Sequence, residues 1–180
     1  MIGTVAKRLT FEEFELLPDR PGKSELLRGE LIELPPAKLK HNAIAERLFL
    51  RLIAILDEIR LREGASVFGQ VHHEMGYKFP DGSWLQPDVS ITHAGQKAGD
   101  YYLGSPALAI EVVSESNSAD EIAGKVEVFL LYGAAEVWVL YPKQQQMWMY
   151  GREGRAERHA GTFTSALLSG ATIDLNQILE

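Results

Sequence analysis

Three side chains carry the strongest chemical signal in this sequence: Asp88, Glu111 and Lys125. Glu111 sits inside Ala-Leu-Ala-Ile-Glu-Val-Val, residues 107–113, among neighbours that should all be buried. A buried carboxylate without a partner is costly, so it calls for a cation, a metal or a strong hydrogen-bond donor. A structural ion pair, or an edge position facing water, would satisfy the same pattern. Asp88 follows Pro87 at the start of the preceding apolar stretch. Alone, Pro-Asp reads as a turn or cap. On a strand beside Glu111, the two carboxylates can share a hard divalent cation, since magnesium is typically held by one or two carboxylates plus waters and phosphate oxygens. Lys125 lies three residues from Ile122 and four from Phe129, so it flanks the inward face of the next helix. There it can orient a water or offset negative charge on phosphate, or simply snorkel to solvent. Acid, apolar strand with a second acid, then lysine are the parts needed for metal-assisted phosphodiester hydrolysis.

The elements that must position these groups follow from the pattern of the chain. Thr10-Phe11-Glu12-Glu13 is a capping box opening a short helix through about Leu17, stopped by Pro18. Residues 24–34 read as two short strands around Arg28-Gly29. After Pro35-Pro36 a long helix runs from about Lys38 to Glu63, closed by Gly64. Its apolar seam is Ile44, Leu48, Leu52, Ile55 and Ile59, with His41 at the N-terminal end of the same seam. Strands are expected over 65–75, over 77–85 around an Asp81-Gly82 hairpin turn, and over 87–92. Residues 93–105 read as a loop. The run 107–113 has the near-continuous apolar character of a central strand buried on both faces. A helix over 119–132 ends at Gly133. Strands over 136–141 and 146–150, another near Thr162, and a terminal turn or helix complete the chain. Trp138, Trp148 and Tyr150 alternate on these strands, as residues packing a sheet or a dimer contact would. This order predicts a mixed α/β sandwich around a central sheet, organised as one domain over residues 1–180.

Composition narrows the possibilities. There are no cysteines, which excludes disulfides and thiolate-held metals. No apolar run is long enough to span a bilayer, and the first residues lack a signal-peptide pattern, so the expected location is cytoplasmic and away from membranes. The net charge of −7 argues by itself against a nucleic-acid partner. Its distribution argues the other way. Residues 38–62 hold six basic residues (Lys38, Lys40, Arg47, Arg51, Arg60, Arg62) against three acids, whereas 81–140 hold nine acids against Lys97 and Lys125. A metal centre meeting phosphate beside a basic helix would look like this, and so would two solvated faces of an acidic protein. His72 and His73 are adjacent, so on a strand they point to opposite sides and cannot form one metal face. Walker, Rossmann and nucleophile-elbow motifs are missing from the sequence.

Several separated stretches together resemble the Uma-two family of candidate endonucleases, part of the PD-(D/E)xK superfamily. They are Gln86-Pro87-Asp88-Val89-Ser90, the strand from Pro106 to Ser114 with Glu111, Lys125, Gly133-Ala-Ala-Glu136-Val-Trp138 and Pro142. Phe11-Glu-Glu-Phe14, Leu17-Pro18, Glu25-Leu-Leu-Arg-Gly29-Glu30 and His41 are similar to the family's opening pattern, so the likeness runs from about Leu9 to Leu179. The resemblance implies a restriction-endonuclease-like core: a central mixed sheet flanked by helices, with an added N-terminal helix and hairpin and C-terminal strands. It implies that Asp88 and Glu111 are metal ligands for Mg2+ or Mn2+. It also implies that Lys125 replaces the lysine usual two residues after the second acid, where this chain has Val113, and that Glu25 and His41 are further polar positions near the site. DNA as substrate and a homodimer are implied as well. Ser114-Glu115-Ser116, Phe129 and Val137 depart from the family's usual residues, and none of these changes removes a charged site residue.

Two functional expectations follow. One is a metal-dependent endonuclease hydrolysing DNA phosphodiester bonds. The other is a catalytically inactive nuclease-fold protein that binds or assembles. Fold membership alone does not select between them.

Overall fold

The computed structural model describes residues 8–64 and 68–180. Thr10 Oγ1 accepts from Glu13 N at 3.1 Å and Glu13 Oε2 accepts from Thr10 N at 2.9 Å, the reciprocal cap that starts α1 (Phe11–Glu15). Strands β1 (Lys23–Leu27) and β2 (Glu30–Leu34) form a hairpin. Its two turn residues, Arg28 and Gly29, both have positive φ, 51° and 84°, matching the right-handed twist of the strands they join. Helix α2 (Leu39–Glu63) follows, with Ile44, Leu48, Leu52, Ile55 and Ile59 all buried as their spacing predicts.

The middle of the chain supplies β3 (Phe68–His73), β4 (Tyr77–Lys78), β5 (Trp84–Leu85), β6 (Val89–His93), β7 (Tyr102–Leu103) and β8 (Leu108–Val112). The expected strand over 65–75 is β3, and residues 65–67 of that expectation lie outside the described residues. β7, within the expected loop, is only two residues long. Ser118 caps α3 (Ala119–Leu131) through a second reciprocal box with Glu121. The chain continues through β9 (Glu136–Tyr141), β10 (Gln146–Gly151), β11 (Ala156–His159), β12 (Thr162–Ser165), β13 (Ala171–Asp174) and α4 (Leu175–Leu179). β11 and β13 go beyond the strands expected from the sequence. Their polar residues carry little alternation, and pairing with β10 and β12 is what defines them.

Six strands form the principal sheet in the order β11-β10-β9-β8-β6-β3. β8 and β9 are parallel and joined through α3, while β6 and β8 are antiparallel. A second sheet, β2-β1-β5-β4-β7, lies toward the α3 side, and β12 and β13 pair with each other. The architecture is thus mixed α/β. The alternation of the strands divides the core. Leu108, Ile110 and Val112 of β8 pack with Val89, Ile91, Trp138 and Leu140 against the buried seam of α2. Ala109, Val137 and Val139 face the other way, toward Ile122, Val126, Val128 and Phe129 of α3. Trp138 is fully buried and meets Phe163 edge-on, whereas Trp148 and Tyr150 are half-buried and stack on one another.

The basic helix serves a partly structural purpose. Arg47 donates to Ile178 O, Arg51 to Thr172 O, Arg60 to Gly69 O and Arg62 to Ser169 O. These guanidinium groups bind backbone carbonyls around α2, so Lys38 and Lys40 at its N-terminal end are its remaining cations.

Candidate functional site

The side chains at issue converge where β1, β6 and β8 meet α3 and the N-terminus of α2. Val89 pairs with Ile110 across the antiparallel β6–β8 ladder, so Asp88, one residue before β6, falls opposite Glu111. Period-2 alternation turns Glu111 away from Leu108, Ile110 and Val112 and toward α3. Asp88 is held in place by a backbone donor from the same strand pair: Val112 N donates to Asp88 Oδ2 at 2.7 Å.

Lys125 comes from the second turn of α3. Its Nζ lies 2.7 Å from Glu111 Oε1 and 2.8 Å from Glu25 Oε2, with a side chain only 2% exposed. The residue before it, Gly124, lies close against β1. A Cβ at Gly124 would fall 2.8 Å from Leu27 Cδ2, so the missing side chain leaves room for Leu27 between α3 and β1. Glu25, on β1 beside Leu27, is wholly buried and its Oε1 accepts from Gln86 N at 2.6 Å. His41 reaches in from the first turn of α2, with Nε2 3.3 Å from Asp88 Oδ2.

All five residues singled out from the sequence therefore meet in one cluster. A sixth was missed. Lys23 Nζ lies 3.2 Å from Asp88 Oδ1 and 3.9 Å from Glu25 Oε1. The signal was available, because Lys23 and Glu25 stand two apart on one strand and so share a face. Beginning that strand at Ser24 left Lys23 outside it.

Electrostatically the cluster sets three carboxylates against two ammonium groups, an excess of one negative charge while His41 is neutral. Burial pushes the Glu111 carboxyl up to about 7; Lys125 and Lys23 pull against this, and the neighbouring Asp88 and Glu25 reinforce it. Burial would also raise Asp88, yet Lys23, His41 and Lys125 overcome it and hold that carboxyl well below the usual range. His41 is raised, chiefly by its hydrogen bond to Asp88, with burial opposing. For Lys125 burial acts downward, and Glu111 and Glu25 more than compensate, leaving it raised. Asp88 is thus a fixed anion, and Glu111 is a carboxyl whose charge depends on what cation is nearby.

The residues fit a divalent cation in one specific sense. Glu25 Oε2, Glu111 Oε1 and Lys125 Nζ are buried and meet one another at ion-pair distances, with no further polar partner. Attraction holds them, and once Glu111 is ionised and His41 neutral the three carboxylates outweigh the two ammonium groups by one charge. Among the described residues no three His, Asp or Glu side chains group as metal ligands. A cation here would draw on the two opposed carboxylates Asp88 and Glu111 and complete its shell with water or phosphate oxygens, the habit of magnesium. The adjacent His72 and His73 do point apart, His72 to Tyr102 and His73 to Phe49.

Comparison with known proteins is consistent with this reading of the fold. The Uma2 family model, described as "Putative restriction endonuclease", matches residues 11–179. The structure is similar to the crystal structure of a "putative nuclease belonging to DUF820" from Anabaena variabilis ATCC 29413, with a TM-score of 0.78 and 19% sequence identity, covering 95% of this chain and 97% of that one. At that identity the likeness concerns the fold. Comparison with curated proteins returned no match. Among the described residues no helix is long and apolar enough to cross a membrane.

Proposed function

The chain belongs to the Uma2 family, and on that premise we propose that it is a metal-dependent endonuclease acting on DNA, with Asp88, Glu111 and Lys125 at its centre and Glu25, His41 and Lys23 supporting them. The observation that carries this reading is the convergence of Lys125 Nζ on Glu111, itself opposite Asp88 across two paired strands. Asp88 and Glu111 would hold Mg2+ or Mn2+, which when bound polarises a phosphoryl oxygen and lowers the pKa of water.

The protein's own groups divide the remaining work. Asp88, fixed by Val112 N and kept ionised by Lys23 and His41, supplies a permanent negative charge. Glu111, raised to about 7 by burial, would be the ligand whose ionised form a bound divalent cation would favour. Lys125 stays protonated between Glu111 and Glu25, so it offers positive charge to a phosphate without competing as a ligand. Glu25, anchored by Gln86 N, orients Lys125 rather than touching substrate. Lys38 and Lys40, beside His41 at the start of α2, lie where a DNA backbone would approach. Two chains working as a homodimer would present one such site to each strand.

The test is cleavage of plasmid and branched DNA with Mg2+ or Mn2+. Wild type is expected to cut, whereas Glu111→Gln and Lys125→Met lose activity by a factor on the order of 100 or more. Equal activity in all three would remove the proposed roles.

A second reading rests on the depth of the cluster. With Glu25 0%, Glu111 4% and Lys125 2% exposed at the side chain, the same groups form a closed ionic network suited to a nuclease fold that binds or assembles without catalysis. Calorimetry separates the two. Stoichiometric Mg2+ or Mn2+ binding that Asp88→Ala abolishes supports the nuclease, and absence of heat supports the inactive form.

A further inference from the structure

Asp88 has partners on both of its oxygens. Oδ2 accepts from Val112 N at 2.7 Å and lies 3.3 Å from His41 Nε2. Oδ1 accepts from Lys23 Nζ at 3.2 Å. An ionised carboxylate offers about four lone-pair positions, so these partners leave little of Asp88 free. Val112 N is backbone, and His41 is a short ring side chain carried by the first turn of α2. Lys23 is the partner with a long stem.

The two lysines of the cluster are held differently. Lys125 Nζ bridges Glu25 at 2.8 Å and Glu111 at 2.7 Å, and its side chain is 2% exposed. Lys23 has Asp88 at 3.2 Å and Glu25 no nearer than 3.9 Å, and its side chain is 13% exposed. It is also the first residue of β1, at the end of the strand. Lys125 is therefore a fixed bridge, whereas Lys23 is a compact charge that can withdraw along four flexible carbons.

We propose that Lys23 is a tethered counter-ion that competes with a divalent cation for Asp88, so that it sets how tightly the site holds metal. This rests on the reading of Asp88 and Glu111 as the cation's ligands. The same ammonium has two effects of opposite sign. It neutralises a buried carboxylate, which supports the folded protein. It also repels any second cation brought to that carboxylate, because positive charges sharing one oxygen stand close together where water screens them poorly. A site balanced in this way keeps its order without a divalent cation and binds one weakly. Lys23 is then a positioning residue for Asp88 and an opponent of the metal, and it need touch no substrate.

Calorimetric titration of the full chain with MnCl2 tests this. Lys23→Met removes the charge and keeps an apolar stem, and it should bind Mn2+ about tenfold more tightly than wild type. Lys23→Arg keeps the charge and should stay within about threefold of wild type. Thermal unfolding gives a second readout. In EDTA, Lys23→Met should melt below wild type, since Asp88 has lost its counter-ion. A fixed concentration of Mn2+ should then raise its melting temperature by more than it raises that of wild type, as tighter binding requires. If Lys23→Met does not fold by circular dichroism, Lys23→Gln, which keeps a donor for Asp88 without the charge, gives the same comparison.

A role limited to holding Asp88 in place predicts the reverse, weaker Mn2+ binding in Lys23→Met. That result, or equal affinity in variant and wild type, overturns the inference and leaves the nuclease reading standing. Heat seen with Lys23→Met and not with wild type would support the inference in its extreme form, and would make Lys23 the reason that wild type is inactive. No binding by wild type or any variant would overturn the metal-dependent reading, and this inference with it.

Discussion

The two faces of the principal sheet solve burial in opposite ways. Toward α2, Val89, Ile91, Leu108, Ile110, Val112 and Leu140 meet aliphatic residues, and the buried carboxylate on that side, Glu136, is taken up by Trp138 Nε1 and Arg155. Toward α3, the same two central strands present Asp88 and Glu111, and Lys23, Glu25 and Lys125 gather around them. The first arrangement gains stability from area removed from water and tolerates small changes of shape. The second must desolvate five charges, and mutual attraction offsets that cost only while every partner is present. A sheet with one mainly apolar face and one that gathers the five-charge cluster thus separates most of its stability from its chemistry.

Removing one partner from the charged face should show this contrast most strongly. Lys125→Met leaves Glu111 and Glu25 facing each other in a buried site and should cost about 3–5 kcal/mol, measured by urea denaturation. The double variant Lys125→Met/Glu111→Gln should recover part of that loss, since one orphaned charge is gone. If the single variant were as stable as wild type, the charged face would not be a closed network. On the apolar face, Leu48→Ala should cost about 2–5 kcal/mol through cavity formation. Its loss should be the same at low and high salt, and the folded fraction should match wild type in the assay of the proposed DNA cleavage.

Acidity should separate the faces next. Glu111 holds its proton up to about 7 in the folded protein and only to about 4.5 at its ordinary value, so between these limits the folded state binds more protons than the unfolded one. Stability must then fall as pH rises through this window. His41, also raised, acts in the same direction as pH passes its ordinary 6.5. Asp88 acts oppositely: its lowered pKa contributes stability above 3.8 that is lost as pH falls further. Denaturation midpoints should therefore be higher at pH 5 than at pH 8, and Glu111→Gln should flatten the difference. An unchanged slope in that variant would assign the titration to another group.

The smallest effect belongs to the exposed ion pairs. Glu115 joins Lys38 at 3.2 Å and Lys143 at 2.7 Å, all in solvent. Its carboxyl is held down to about 2 by hydrogen bonds from Lys143 and Lys38. Water and salt screen such contacts, so Glu115→Gln should leave the melting temperature unchanged within error. A clear loss would mean that this triplet ties the start of α2 to the rest of the protein.

Much of this fold could be read from local pattern. Thr10 with Glu13, Arg28-Gly29, the seam of α2 and its closing Gly64 each act through neighbours in the chain, and each appears as expected. Asp88, Glu111, Lys125, Glu25 and His41 were also recognisable, partly from an acid in an apolar strand and partly through family resemblance. Lys23 was passed over, because a strand begun at Ser24 leaves it off the face it shares with Glu25. The arginines of α2 were visible as a basic run, but their carbonyl acceptors on Gly69, Ser169, Thr172 and Ile178 were not, since three of the four lie over a hundred positions away.

What the amino-acid order determined alone is the helices and most of the strands, and the presence of a carboxylate where only apolar residues should be. Those follow from periodicity, capping and transfer cost, all short-range properties. Tertiary structure decided which charges meet. The β6–β8 register sets Asp88 against Glu111, α3 packs beside β1 with Gly124 against Leu27, and only then can one lysine bridge Glu25 and Glu111. Electrostatic energy depends on separation in space, and that separation does not exist until the chain has folded.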